Sequence, residues 1–206
     1  MNNKIQFNKE KEFWEWFEKK SKIIFNFEQD KENIFNELSS KLNKIHSDLT
    51  FEIGPKNQFI RDFIISANGI ADAFPAVIKL VNTAPKFDQW NIIPFRPRCS
   101  IENIINIDDY SLCPDNVWFK IEPLNGKVGL SLFISGLNEK NEKAVNIASY
   151  ILLDNALGEY DVEVKLGYIK RYPLPVNPSN KGLIPFRKFP EEVDIMFKGF
   201  KGQELT

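Results

Sequence analysis

Two arginines, Arg96 and Arg98, stand two positions apart in the stretch NIIPFRPRC. Pro94 and Pro97 keep the backbone extended, and side chains at i and i+2 of an extended chain point to one side, about 7 Å apart. Like charges held that close favour an anion between them. The pair either clamps a carboxylate-bearing ligand, for which the planar guanidinium is well shaped, or pairs internally with the acidic segment that follows.

Two acidic residues could transfer protons beside such an anion. Asp154 falls inside the apolar stretch ILLDNALGEYD, and Glu159 follows the glycine that ends the apolar run. A buried carboxyl beside another acid has a raised pKa and can act as a general acid or base. In the alternative interpretation Asp154 points to solvent and Glu159 flanks an edge strand, so that neither is catalytic.

A third candidate is the aromatic cluster FWEWF, which contains Trp14 and Trp16. Five consecutive helical positions sweep more than a full turn, so its four aromatic rings cannot all face one core. We therefore expect Trp14 or Trp16 to point toward solvent or toward another element. An exposed Trp beside Glu is typical of a protein-binding face, whereas a helix sandwiched between other elements would give both rings a packing role.

The composition excludes several classes of function. Of 206 residues 43% are hydrophobic and 27% are charged, as in ordinary soluble globular proteins. The balance of 27 basic and 28 acidic residues produces no field that would gather nucleic acid or an anionic membrane. The C-terminal segments IPFRKFP and MFKGFKG mix aromatic and basic residues, but acidic residues interrupt them, so nucleic-acid binding is not expected. No apolar run resembles a signal peptide or a membrane span, which predicts a cytoplasmic protein with no membrane partner.

The strong catalytic and cofactor motifs are missing from the sequence. It has no Gly-rich phosphate loop, no G-x-S-x-G, no C-x-x-C and no H-E-x-x-H. The sole histidine, His46, is expected to lie at a helix C-terminus, where its positive form is favoured. Cys99 and Cys113 are expected to be free thiols, and neither a metal site nor a cofactor is predicted.

Hydrophobic periodicity predicts two leading helices, followed by the order strand, strand, helix, strand twice. Lys9 to Phe25 form the first helix, capped by Asn8, and Asp30 can cap the second. Phe51 and Phe119 begin similar short sequence segments 68 positions apart, which favours an internal duplication. The module elements are predicted at 49–53, 58–67, 74–84 and 90–95, and again at 117–123, 128–136, 138–157 and 160–169.

The fold expected from this order is α+β: two strand-strand-helix-strand modules forming one mainly antiparallel sheet of about six strands, with helices packed on it. A single domain, 1–206, is predicted. Its parts are a helical pair (1–48), a first module (49–98), an acidic connector (99–116), a second module (117–170) and a tail (171–206). The tetrapeptide Ile-Pro-Phe-Arg recurs at 93–96 and 184–187, out of register with the modules, and is interpreted as coincidence.

The function expected is that of a cytoplasmic protein-binding or inhibitory module, for instance a toxin-neutralising or enzyme-regulating protein. This hypothesis rests on the missing catalytic motifs, the near-neutral charge and the surplus of aromatic residues. The alternative is an enzyme for a small anionic substrate, in which Arg96 and Arg98 position the anion and Asp154 or Glu159 moves protons. A duplicated sheet could also pair edge to edge as a homodimer.

Overall fold

The two leading helices are α1 (Lys9–Phe25) and α2 (Lys31–Asn43), as the periodicity predicts. The Asn8 side chain caps α1 by accepting the backbone N–H of Lys11 at 3.2 Å. Asp30 stands at the N-cap of α2, where its side chain accepts a hydrogen bond from the Asn33 amide instead. This computed structural model describes residues 8–203, and the side chains among them up to residue 200. Residues 1–7 of the predicted helical segment and 204–206 of the tail lie outside it.

The chain divides between Arg96 and Pro97 into two compact units, each with its own apolar core. In unit 1, strand β2 pairs antiparallel with β1 and parallel with β3. Its central side chains, Phe63 and Ile65, are fully buried together with Phe17 of α1. The remaining elements of unit 1 are β1 (Thr50–Ile53), β2 (Arg61–Ser66), α3 (Phe74–Asn82) and β3 (Trp90–Pro94).

Unit 2 begins with a short hairpin, β4 (Ile105–Ile107) and β5 (Tyr110–Leu112), inside the segment predicted as a connector. Its main sheet has four strands in the order β8-β7-β6-β9. The β6–β7 pair is antiparallel and the β7–β8 pair is parallel. The elements after the hairpin are β6 (Val117–Leu124), β7 (Lys127–Ile134), α4 (Glu142–Leu157), α5 (Glu159–Lys165), β8 (Leu166–Pro173), β9 (Ile184–Pro185) and α6 (Phe189–Gln203).

One face of this four-stranded sheet forms the core of unit 2. Leu130 and Leu132 of β7 are fully buried in a cluster with Leu152 of α4 and Val193 of α6. Because side chains alternate along a strand, Gly129, Ser131 and Phe133 point to the opposite face. The two helices therefore cover only one side of the sheet.

The α+β class is confirmed, but the single sheet of about six strands is wrong. The described strands form separate sheets of three, two and four strands, and the two larger sheets are mixed in direction. The physical reason is that each unit has its own apolar core, in which helices cover one face of its sheet, so burial of this apolar surface does not require all the strands to join in one sheet.

The two units share the order strand, strand, helix, strand, with the same directions of pairing. Their hairpin registers differ. Phe51 stands opposite Ile65 in unit 1, whereas Phe119 stands opposite Leu132 in unit 2. An alignment of the two modules by their similar sequences would instead place Ile134 opposite Phe119, two residues further along β7. The internal duplication therefore stays a prediction.

Residues 160–169 do not form a single strand. The first half is helix α5 and the strand begins at Leu166, because an Asp161–Lys165 ion pair at i, i+4 supports a helical turn there. The tail predicted from residue 171 also contains the end of β8, all of β9 and helix α6. None of the helices within residues 8–203 combines the length and the apolar character needed to cross a bilayer.

Candidate functional site

Arg96 lies in unit 1, where its guanidinium is ion-paired with Glu52 and donates to the Asn68 side chain at 2.6 Å. Arg98 belongs to unit 2. The acidic connector supplies its carboxylates to another residue: Glu102 and Asp115 both pair with Arg187. Whether Arg96 or Arg98 binds a ligand stays a prediction.

Arg98 is the centre of an ion-pair network within unit 2. It donates two hydrogen bonds to the Asp194 carboxylate, at 2.7 and 2.9 Å, and others to Asp161 and to the Leu157 carbonyl. Lys165 pairs with the same two carboxylates. The bonds from Arg98 hold the pKa of Asp194 well below its ordinary value, and Asp194 in turn raises the pKa of Arg98. These charges satisfy one another, as in a structural network.

Asp154 and Glu159 lie on either side of Gly158, where α4 ends and α5 begins. Asp154 is half-buried on α4, so the expectation of an apolar environment holds only in part. Glu159 is fully buried in the first turn of α5. A role of either residue in proton transfer stays a prediction.

Both tryptophans of the aromatic cluster pack against neighbouring elements of unit 1. Trp14 is only 3% exposed, and its indole N–H donates to the Leu80 carbonyl of α3 at 2.9 Å. Trp16 is half-buried; it donates to Glu37 of α2 at 2.8 Å and lies under Lys41. The two rings therefore point to different helices, which favours the packing interpretation over an exposed recognition face.

The structure draws attention to an arginine that the sequence did not single out, Arg171 on β8. Its Nε donates to the Ser149 hydroxyl of α4 at 2.6 Å, and its guanidinium carbon lies 4.6 Å from the centre of the Tyr150 ring. Its Nη2 is buried without a hydrogen-bond partner. The hydroxyl and the ring together hold the guanidinium in one orientation between strand and helix.

Arg171 differs from the other arginines in lacking an acidic partner. Within the described part of the chain, no carboxylate lies within ion-pair distance of it. A half-buried positive charge without an anion is costly, because burial removes water without supplying a replacement. The other four arginines pair with carboxylates: Arg61 with Glu28, Arg96 with Glu52, Arg98 with Asp161 and Asp194, and Arg187 with Asp115.

Arg171 lines a cavity of about 240 Å³ where β7 and β8 end and α4 begins. Parallel strands end at the same edge of a sheet, and the crevice beyond their carboxyl ends is a common ligand site in such folds. The cavity offers one guanidinium, side-chain amides, two carboxylates and an apolar wall. Its lining residues are Leu137, Asn138, Glu139, Glu142, Asn146, Arg171 and Pro173.

This arrangement can bind a carboxylate and a neighbouring positive group together. A carboxylate would supply the ion-pair partner that Arg171 lacks, while Glu139 and Glu142 would favour an amine or a guanidinium beside that carboxylate. Helix α4 extends the surface with an apolar stripe at i, i+3 and i+4: Ile147, Tyr150 and Ile151 are 42%, 48% and 38% exposed. Tyr150 connects the stripe to the cavity, because its ring packs against Arg171, which lines the cavity.

Sequence reasoning missed this site for an identifiable reason. The predicted second-module strand ended at Ile169, which left Arg171 in the tail. A register irregularity beside Val128 and Gly129 also disturbs the alternation of β8, so that Leu166 and Ile169 share a face although they are three positions apart. Counting alternate residues along β8 from Leu166 therefore does not predict that the Arg171 side chain faces α4.

No group of three or more His, Cys, Asp or Glu residues in the described chain could hold a metal ion. Comparisons of this chain with family models, curated proteins and solved structures found no match in any of the three.

Proposed function

We propose that the chain is a cytoplasmic protein-binding module that acts by occupying a partner, as a toxin-neutralising or enzyme-regulating protein does. The recognition surface is the Arg171 cavity together with the apolar stripe of α4. The partner inserts an acidic side chain toward Arg171 and lays apolar side chains on Ile147, Tyr150 and Ile151.

The observation that carries the proposal is the unpaired charge of Arg171. Its guanidinium is already oriented by Ser149 and Tyr150, so that little side-chain entropy is lost when a carboxylate binds. Arg and Tyr are also the residue types that most often supply binding energy at protein interfaces. An exposed apolar stripe beside them provides the desolvated surround that such contacts need.

The first test is affinity capture of the tagged chain from lysate of its source cells, washed at low and at high salt and analysed by mass spectrometry. We expect one stoichiometric protein to survive high salt. The captured partner is then titrated calorimetrically against wild type, Arg171→Gln and Arg187→Gln. Arg187→Gln is the matched control, because it removes the same charge from a guanidinium that is already paired.

We expect Arg171→Gln to weaken binding by about thirtyfold or more, since truncating one member of a buried charge pair costs about 2–5 kcal/mol. Arg187→Gln should leave the affinity unchanged. Equal affinity of wild type and Arg171→Gln, with the thermal melting temperature preserved, would remove Arg171 from the interface. Failure to capture any partner would count against the binding function itself.

The alternative, an enzyme acting on a small anionic substrate, also stays a proposal. The sequence assigns the anion to Arg96 and Arg98, but these residues belong to different units and each already contacts a carboxylate. The Arg171 cavity suits a small anion better. Turnover of a carboxylate compound that Arg171→Gln abolishes would favour the enzyme over the binding module.

A further inference from the structure

The second face of the four-stranded sheet in unit 2 carries a regular pattern of aromatic and basic side chains. The strand register places Trp118, Phe133 and Tyr172 opposite one another across β6, β7 and β8. Two residues further along each strand, Lys120, Ser131 and Lys170 form the next row. We call Trp118, Lys120, Phe133, Lys170 and Tyr172 the aromatic–lysine face.

The aromatic row forms a platform three strands wide. The rings of Phe133 and Tyr172 stack at 5.3 Å between centroids and 27° between planes. Trp118 and Phe133 are half-buried, and Tyr172 is 41% exposed. With neighbouring strands about 4.8 Å apart, the row spans roughly 10 Å from Trp118 to Tyr172. Helices α4 and α6 pack on the opposite side of the sheet, so neither helix covers these rings.

The lysine row provides two positive charges without acidic partners. Lys120 and Lys170 are both exposed, and no carboxylate of the described residues lies within ion-pair distance of either. Lys170 lies 4.7 Å from the centre of the Tyr168 ring. The row runs about 7 Å from the aromatic row, which is the spacing of alternate residues on a strand. Each positive charge therefore stands beside an aromatic surface.

A third row extends the platform. The Tyr168 ring lies against Gly129, where an added Cβ would approach within 2.6 Å of the ring. Its hydroxyl donates to Glu122 at 2.6 Å, so this carboxylate, two positions from Lys120 along β6, is bonded to the tyrosine. Aromatic surface thus lies on both sides of the lysine row.

We propose that the aromatic–lysine face binds single-stranded nucleic acid. Bases stack on Trp118, Phe133 and Tyr172, and the phosphates that link them meet Lys120 and Lys170. Unpaired bases stack on aromatic side chains whatever their sequence, and the distance between the rows is comparable to that between the base and the phosphate of one nucleotide. Two lysines neutralise few phosphates, so the affinity is modest, on the order of 10⁻⁵ M at low salt.

Charge complementarity selects this occupant. An uncharged sugar chain could stack on the aromatic row but would leave both lysines without a counterion. A double helix would hide its bases from the rings. The net charge of the chain and the acidic residues of its tail argued against nucleic acid, but the residues of this face come from three strands and are not visible as a patch in the sequence.

The test is a titration of a fluorescein-labelled ten-residue oligothymidylate, followed by fluorescence anisotropy at increasing KCl. Each neutralised phosphate contributes about −0.7 to the slope of log K against log salt, so two lysines predict a slope of about −1.4. The double variant Lys120→Gln/Lys170→Gln should flatten the slope toward zero. Lys143→Gln is the matched control, since it removes an exposed charge from α4 on the opposite side of the sheet.

The stacking contribution is tested with Phe133→Leu and Tyr172→Leu, which keep apolar contact but remove the ring. Loss of one stacked base predicts at least about fivefold weaker binding. Because Tyr172 is exposed on an edge strand, its variant is expected to fold even if Phe133→Leu does not. Oligothymidylate should also quench part of the tryptophan fluorescence, and Trp118→Phe should abolish that quenching.

Three results would overturn the proposal. The first is the absence of oligothymidylate binding by wild type at low salt. The second is binding that the lysine double variant and Tyr172→Leu leave unchanged. The third is binding of neutral maltohexaose, lost in Tyr172→Leu and unaffected by the lysine variant, which would assign the face to sugars.

Discussion

Arg61 and Arg171 share an unusual feature, a buried guanidinium nitrogen without a hydrogen-bond partner. In both residues the guanidinium lies over an aromatic ring, Phe27 for Arg61 at 4.9 Å and Tyr150 for Arg171 at 4.6 Å. The ring face attracts the cation and offsets part of the missing hydrogen bond. The two residues then differ in one respect: Arg61 also pairs with Glu28, which makes it structural, whereas Arg171 has no acid beside it.

The Arg98–Asp194 pair predicts a dependence of stability on pH. The pKa of Asp194 is lowered in the folded chain, so its stabilising contribution is complete above its ordinary value near 3.8 and is lost as the pH falls through the lower folded value. Both side chains are about one third exposed, at 37% and 34%. Allowing for solvent screening, Asp194→Asn should lower the free energy of unfolding by about 1–2 kcal/mol at neutral pH.

Urea denaturation of wild type and Asp194→Asn at pH 7 and at about pH 2 checks this expectation. The difference between the two proteins should shrink toward acid. Glu191→Gln, an exposed residue on the same helix, should show a much smaller effect at both pH values. A difference for Asp194→Asn that stays constant down to pH 2 would contradict a role for its ionised form.

Among the secondary-structure elements, the two copies of Ile-Pro-Phe-Arg play the same local structural role in two different sheets. Each copy ends a strand, β3 or β9, and then buries its phenylalanine, at 6% exposure for Phe95 and 0% for Phe186. Each arginine then pairs with a carboxylate. The strands themselves pair differently, since β3 is parallel to β2 and β9 is antiparallel to β6. The repeated tetrapeptide is therefore not a repeated site.

The contact of Tyr168 with Gly129 couples strands β7 and β8 on their uncovered face. Gly129→Ala would place a methyl group against the ring and displace it from Glu122. We expect a loss of about 1–3 kcal/mol in the free energy of unfolding, measured by urea denaturation. Gly199→Ala on α6 is the control: nothing lies within 4 Å of its added Cβ, so it should be neutral or stabilising. A neutral effect of Gly129→Ala would show that Tyr168 moves aside without cost.

At the scale of the whole molecule, the separate cores of the two units predict that each can fold alone. Fragments 1–96 and 97–206 should each show a cooperative urea transition followed by near-ultraviolet circular dichroism. A chain divided at Asn125–Gly126, inside the β6–β7 hairpin, should not fold as separate pieces. If neither 1–96 nor 97–206 folds, the prediction of a single domain, 1–206, is favoured.

Much of the local structure could be predicted from the sequence. The bounds of α1 match its pattern and its Asn8 cap, and β6 and β7 follow their alternation around the Asn125–Gly126 turn. The prediction failed where short elements compete: residues 105–112 form a hairpin, and residues 159–165 form a helix. In both stretches one or two local contacts decide between conformations of similar propensity.

The α+β class, most of the helices and strands, and the absence of a strong catalytic motif can be read from the amino-acid sequence alone. These depend on periodicity and capping, which act over a few neighbouring residues. The partner of each charge and the covered face of each sheet depend instead on tertiary packing. Arg98 meets carboxylates 63 and 96 positions away, and Arg171 is fixed by residues 21 and 22 positions before it. Such contacts leave no local pattern, because the packing of strands and helices alone brings those residues together.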